Sequence, residues 1–289
     1  MLSRFAIHEP QTVAEASALL AAHGPEAAIY AGGTELLVVM KERLVHFPHL
    51  VNIKTIAGLA QISLDTAGEA IEIGPLATHR TIERSPLVRE HAPALADLAA
   101  RVANVRVRAA GTIGGNLCFA EPHSDPATLL VAWNATLMLT SQQGGRELPA
   151  EAFFLGMLET ARRHEEVLTA IRVPLLPPDA GSAYERFKIH ERPAATVAAV
   201  LRLAADEIVE ARIVAGSAGP KPMRLPLAEA VLAGQRPVGS LFASAAERAR
   251  DETVVTDDPF ESSDYKRHLV QVLTERALTA AAERAGHGL

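Results

Sequence analysis

The chain has almost no cysteine: Cys118 is the single one in 289 residues. A lone thiol makes no internal disulfide. It also cannot supply the cysteine set of an iron–sulfur cluster or of a cysteine-based structural zinc. A reducing compartment is the default that follows. No apolar run reaches the roughly 20 residues of a membrane span, and the strongest stretch, around 129–139, is interrupted by Trp133 and Asn134. The opening MLSRFAIHEPQTV lacks the apolar centre of a signal peptide, so the cytoplasm is expected by elimination. Basic excess is missing too. Lys and Arg number 28 against 34 Asp and Glu, a net charge of −6, which disfavours nucleic acid because phosphate binding needs a positive surface. There is no repeat of 20–50 residues, no GxGxxG or Walker A segment, no HExxH and no serine–histidine–acid order.

What is present is an ordinary globular composition, 48% hydrophobic and 21% charged, with enough length for two or three lobes. The opening reads as strand, helix, strand. Thr12 and Glu15 have capping-box spacing before the stripe Val13, Ala16, Leu19 and Leu20, and Gly24 stands where the helix should stop. Ala28–Ala31 is a short buried strand running into Gly32-Gly33 and the helix-like TELLVVMKERL (34–44). HLVNI (49–53) and AIEIG (70–74) are further strands. Thr78 to Val102 is helix-rich, broken at Pro86 and Pro93. SDPATLLVAW (124–133) reads as helix, 135–148 as a hairpin, and VLTAIRV (167–173) as a strand. The proline-rich PLLPPDAG (174–181) marks a boundary. Beyond it, 196–204 and 207–216 form an antiparallel pair turning at Asp206, and Tyr265, Leu269, Val272, Leu273 and Ala280 share a face of a long helix.

Two glycine-rich segments are the informative feature: AGGTELL (31–37) and GTIGGN (111–116). Glycines let the backbone approach an anion, and successive amides can point into one concavity. A strand–glycine turn–helix adds the positive end of a helix dipole. Two such segments from different lobes could clamp a diphosphate from both sides through their amides. Taken singly, a glycine pair is more often a plain turn.

Order and spacing of motifs extend this. AGGTELL with Lys41, GTIGGNLC (111–118) after VRVR, AEPHSDP (120–126), EEVLTAIRVP (165–174), ERFKIHERP (185–193), MRLPLAEAVLAG (223–234) and SSDYKRHLVQVLTERAL (262–278) follow one another along nearly the whole chain. In this the chain resembles the FAD-binding medium subunits of molybdenum hydroxylases, the xanthine dehydrogenase and carbon monoxide dehydrogenase family. The resemblance implies an α+β fold. A two-lobed FAD-binding domain of the vanillyl-alcohol-oxidase type would occupy 1–175 (lobes 1–55 and 56–175), with a C-terminal domain at 176–289. It implies noncovalent FAD held by Ile29, Tyr30, Ala31, Gly32, Gly33, Thr34 and Glu35 on one side and Thr112, Gly114, Gly115 and Asn116 on the other. Ser124 and Asp125 would contact ribityl or ribose hydroxyls, Leu168 would pack near the flavin ring, and Lys188 would approach the ring's pyrimidine side. It also implies partners: a small subunit carrying [2Fe-2S] clusters and a large molybdopterin subunit, in a doubled heterotrimer. Electrons would pass from the clusters through FAD to NAD⁺, oxygen or a quinone.

Two alternatives stay open on the residues alone. One is a stand-alone FAD-dependent reductase or oxidase of the same fold, although no proton-donor motif is evident. The other is a nonenzymatic nucleotide binder using the same glycines. No metal site is expected. His46 and His49 are three apart, but Pro48 separates them and no third ligand is near in sequence, so a surface pair is the reading. His79 and His123 adjoin the glycine segments and are assigned hydrogen-bonding or packing roles, and Cys118 is expected to be a small buried residue.

Overall fold

The first lobe forms where local signals predict it. The computed structural model, which describes residues 2–188 and 192–287, begins with β1 (Ala6–His8) and α1 (Val13–His23). The Thr12 hydroxyl accepts the Glu15 N–H, and the Glu15 carboxylate accepts the N–H of Gln11, a capping box whose return bond lands one residue before the cap. Gly24 ends the helix with φ of 52°. β2 (Ala27–Tyr30) leads through the glycine turn into α2 (Leu36–Lys41), and β3 (His49–Asn52) completes a parallel sheet in the order β1-β3-β2. Ala16 and Leu20 of α1 pack on it with Ala27, Val51 and Ile53.

The second lobe is a five-stranded antiparallel sheet. β4 (Ile62–Leu64) and β5 (Ala70–Ile73) are followed by three short helices, α3 (His79–Arg84), α4 (Pro86–His91) and α5 (Pro93–Arg101). Each break falls at a proline, which starts the next helix because its missing N–H is not needed there. Next come α6 (Val105–Ala110), α7 (Ile113–Phe119) and α8 (Asp125–Ala132). The hairpin β6 (Thr136–Ser141) and β7 (Gly144–Pro149) precedes α9 (Ala150–Phe153), β8 (Phe154–Gly156) and β9 (Glu159–Thr160). β10 (Val167–Pro174) returns to the middle of the sheet, whose order is β4-β5-β10-β6-β7.

A second antiparallel sheet follows the proline-rich connection: β11 (Ala180–Phe187), β12 (Ala195–Ala204), β13 (Glu207–Gly216) and β14 (Met223–Arg224), in that order. The β12–β13 turn places Ala205 and Asp206 at φ of 50° and 63°, the mirror-image geometry that matches strand twist. Helices α10 (Pro226–Leu232), α11 (Gly239–Glu252) and α12 (Ser263–Arg284) cover one face of this sheet. The face of α12 differs from the sequence expectation. Leu269 and Leu273 are buried as expected, but Tyr265 is exposed, Val272 and Ala280 are half-buried, and Lys266 is buried instead. Its ammonium pairs with Asp258 and donates to the Thr256 carbonyl, so a charge takes the inward position that hydrophobicity alone assigns to an apolar neighbour.

The other face of this sheet meets α8, in which all eight residues are buried. Burying Leu129, Leu130 and Val131 there contributes roughly 1.5–3 kcal/mol each. Polar bonds fix the register of the two units. Trp133 Nε1 donates to Ser182 Oγ at 2.6 Å, and Asp125 accepts from Tyr184 at 2.5 Å and Arg186 at 2.9 Å.

Candidate functional site

The two glycine segments touch. A Cβ on Gly32 would lie 2.2 Å from the Ala110 carbonyl oxygen, so only glycine lets the first turn reach the end of α6. Gly33 has φ of 72° with the Tyr30 ring against it, and the Lys54 ammonium stands over that ring, 3.7 Å from its centroid. A Cβ on Gly111 would come within 3.2 Å of Thr34 Oγ1. Segments almost eighty residues apart in sequence therefore form one wall.

Their donors are used differently. Among the described residues, the N–H groups of Gly32, Gly33, Thr34 and Glu35 find no protein acceptor. The second segment is not a loop: it is the first turn of α7, capped by Thr112. Three of its amides are already taken, Ile113 by the Ala77 carbonyl, Gly114 by the Pro75 carbonyl and Gly115 by Thr112 Oγ1. The expectation that both segments present amides to a diphosphate meets this difference: the amides of 113–115 are engaged within the protein, whereas those of 32–35 find no acceptor among the described residues. Short glycine-containing runs between helices look like loops in sequence. The Thr112 cap and the carbonyls of the 75–77 turn make this one helical.

Beside this wall lies a cavity of about 250 Å³. Thr34, Glu35, Asn116, Ser124, Asp125 and Lys188 line it, so six of the sequence-expected residues converge. Gly115 is exposed, and Ser124 donates to Asn116 Oδ1 at 2.6 Å, fixing the amide so that its NH₂ is free to donate elsewhere. Asp125 reaches the cavity, but its oxygens accept from Tyr184 and Arg186, which makes it first a strut between the two units. Ala31 is buried, Gly114 packs on Pro75, and Ile29 packs in the first-lobe core. Leu168 is buried opposite Leu139 in the second-lobe core and does not line the cavity. The segment 189–191 of ERFKIHERP lies outside the described residues.

Sequence reading did not single out Glu121 and Arg192. Both line the cavity, and Arg192 donates to Glu121 Oε1 at 2.9 Å, as His123 Nδ1 meets that atom at 2.8 Å. Burial pushes the Glu121 carboxyl up, but His123 and Arg192 outweigh it and hold it below its usual range. Burial also raises Glu35, an effect that Arg192 offsets in part. The signal was present in AEPHSDP and ERFKIHERP, but only folding brings their charges together. His79 lies under the second segment, its N–H donating to the Gly111 carbonyl. Burial, then the Arg108 charge, lowers its pKa to about 4, so it is a neutral packing group. Arg108 NH1 holds the Val102 carbonyl at 3.0 Å, bracing the cavity rim.

Residues 3–176 match the sequence profile of the FAD binding domain in molybdopterin dehydrogenase, and residues 182–281 that of the CO dehydrogenase flavoprotein C-terminal domain. The carbon monoxide dehydrogenase medium chain of Hydrogenophaga pseudoflava is 33% identical over 97% of this chain and 98% of its own. Caffeine dehydrogenase subunit beta of Pseudomonas sp. (strain CBB1) is 32% identical over 96% and 95%. A solved structure of the Hydrogenophaga carbon monoxide dehydrogenase superposes with a TM-score of 0.95 at 34% identity, covering 98% of this chain and 99% of that one.

The residues present fit FAD. Four unengaged amides in one turn suit a diphosphate, Lys188 and Arg192 supply positive charge, and Asn116 and Ser124 offer hydroxyl-binding groups. The enclosed volume is below the roughly 300–1,000 Å³ of a whole small-molecule site, so a dinucleotide would be only partly enclosed there. A second, open depression of about 690 Å³ lies against Thr78 and Ala109, where Thr78 bridges to Thr112. With profile, relatives and fold in agreement over its length, the chain belongs to the family of FAD-binding oxidoreductase subunits of molybdopterin dehydrogenases.

Proposed function

We propose that this chain is the flavin-bearing medium subunit of a heteromeric molybdenum hydroxylase, passing electrons from the [2Fe-2S] clusters of a small subunit toward NAD⁺, oxygen or a quinone, with molybdopterin on a large subunit. The observation that carries it is the turn 32–35, whose amides find no acceptor among the described residues, next to a polar cavity that Thr34 and Glu35 line together with Lys188 and Arg192. When bound, FAD supplies interchange between one-electron and two-electron transfer. The protein supplies binding, orientation and field. Gly32 to Glu35 donate to the diphosphate, Gly115 leaves space beside it, and Asn116 and Ser124 bond to ribityl or ribose hydroxyls. Lys188 places a cation that favours negative charge on the flavin. In this reading residues 1–175 hold the cofactor and residues 176–289 buttress it through the Asp125–Tyr184–Arg186 junction.

A single cysteine leaves no cluster ligands on this chain, which supports a separate iron–sulfur partner. The relatives bear the words medium chain and subunit beta, in keeping with assembly of unlike subunits. Co-expression with candidate small and large subunits, followed by size exclusion, should give a yellow complex of three unlike chains, alone or doubled. A lone monomer that fully turns over a small substrate would overturn the assignment in favour of a self-sufficient flavoenzyme.

A further inference from the structure

Three imidazoles meet on the first lobe, away from the cavity. In the parallel pairing of β1 with β3, Ala6 is opposite His49. His8, two residues on, therefore shares a sheet face with His49, because side chains alternate along a strand. The helix α1 packs on the sheet and ends at His23, which brings a third ring to the same place. His8 Nε2 lies 3.0 Å from His49 Nδ1. The rings of His23 and His49 stack at 3.7 Å, and those of His8 and His23 are 5.0 Å apart. One nitrogen from each ring falls within 4.8 Å of the other two, and all three residues are half-buried. His49 is level with Ala27 at the start of β2, whereas the glycine turn follows Tyr30 at its end, about 10 Å along the strand.

We propose that His8, His23 and His49 form a binding site for one divalent transition-metal ion of the zinc type. Three nitrogens around such an ion at ~2.0–2.1 Å stand roughly 3.3 Å apart, a spacing that small ring rotations reach from the observed arrangement. The hydrogen now shared by His8 and His49 moves to the far nitrogen of the donating ring, leaving a lone pair for the metal on each. An all-imidazole donor set selects zinc, nickel or copper over magnesium or calcium, which demand oxygen ligands. Half-burial leaves the remaining position to water. The ion would tie together β1, the last residue of α1 and the start of β3, as a staple of the first lobe. His46, which the spacing in sequence pairs with His49, takes no part.

The test uses the purified full chain after chelator treatment. Zn²⁺ titrated against a chromophoric competitor should show one saturable site per chain. His8→Ala, His23→Ala and His49→Ala should each weaken it at least about tenfold, while His46→Ala leaves it unchanged. Zn²⁺ at a hundredfold excess over Kd should raise the melting temperature by roughly 5 °C or more, and that rise should vanish in the three variants. If an alanine variant misfolds by circular dichroism, His23→Gln at the helix end serves as the second probe. No saturable binding up to about 100 μM Zn²⁺, or equal affinity in wild type and in all three variants, would overturn the site.

Discussion

Residues 31–35 and 111–116 have similar composition, small residues around a threonine, and they lie against each other in the fold. In the first, four N–H groups remain without a protein acceptor among the described residues. In the second, the amides of 113–115 are tied to Ala77, Pro75 and Thr112, and the segment is a helix start. One turn keeps donors available to a ligand, and the other is the scaffold packed against it. Glycine content therefore does not by itself mark an anion site. What matters is whether the donors that glycine exposes are already satisfied.

The largest effect expected from this division comes from the packed glycines. Gly32→Ala places a Cβ on the Ala110 carbonyl, and Gly114→Ala places one 2.4 Å from Pro75 Cβ. Each should cost about 2–4 kcal/mol in urea unfolding, as overpacked backbone contacts do. Gly114→Ala that loses flavin at unchanged stability would break the comparison, because the second segment would then bind phosphate directly.

His79 tests the scaffold role through pH. Its folded pKa is about 4, against roughly 6.5 unfolded. Between these values the unfolded chain holds the extra proton, so stability falls as pH drops through this window, by up to ~3 kcal/mol. At pH 4.5, His79→Asn should lose less stability relative to pH 7 than wild type does. Parallel pH curves for the two proteins would remove His79 from the scaffold.

Gly115 sharpens the boundary. An added Cβ meets only Thr112 Oγ1, at 2.9 Å, so Gly115→Phe should cost the fold about 1 kcal/mol through its cap. FAD binding should weaken at least tenfold, about 1.4 kcal/mol, read by flavin absorbance after gel filtration. Full flavin occupancy would place the cofactor elsewhere. The smallest effect is electrostatic. Lys188→Met should keep flavin and lower its midpoint potential by on the order of tens of millivolts, measured by dye-coupled titration; an unchanged potential would move Lys188 away from the ring.

Much of this was legible before folding. The capping box at Thr12, the stop at Gly24, the proline-divided helices and the turn at Asp206 are local events, decided by neighbours a few residues apart, and periodicity reports them well. The motif order was enough for the family and its α+β fold. Other features were not legible. Nothing near Asp125 in sequence shows that Tyr184 and Arg186 occupy its oxygens. Nothing near His49 shows His8 and His23. The inward Lys266 was missed because hydrophobic periodicity cannot register an ion pair with Asp258.

The sequence by itself determined the local elements, the absence of cluster-ligating cysteines and the likeness to flavin subunits. These follow from short-range sterics, composition and motif order. Only the tertiary structure decided which amides remain free, which carboxylate became a strut and which histidines meet. Hydrogen-bond partners and close approaches are set by segments tens of residues apart, and a one-dimensional pattern does not contain those distances.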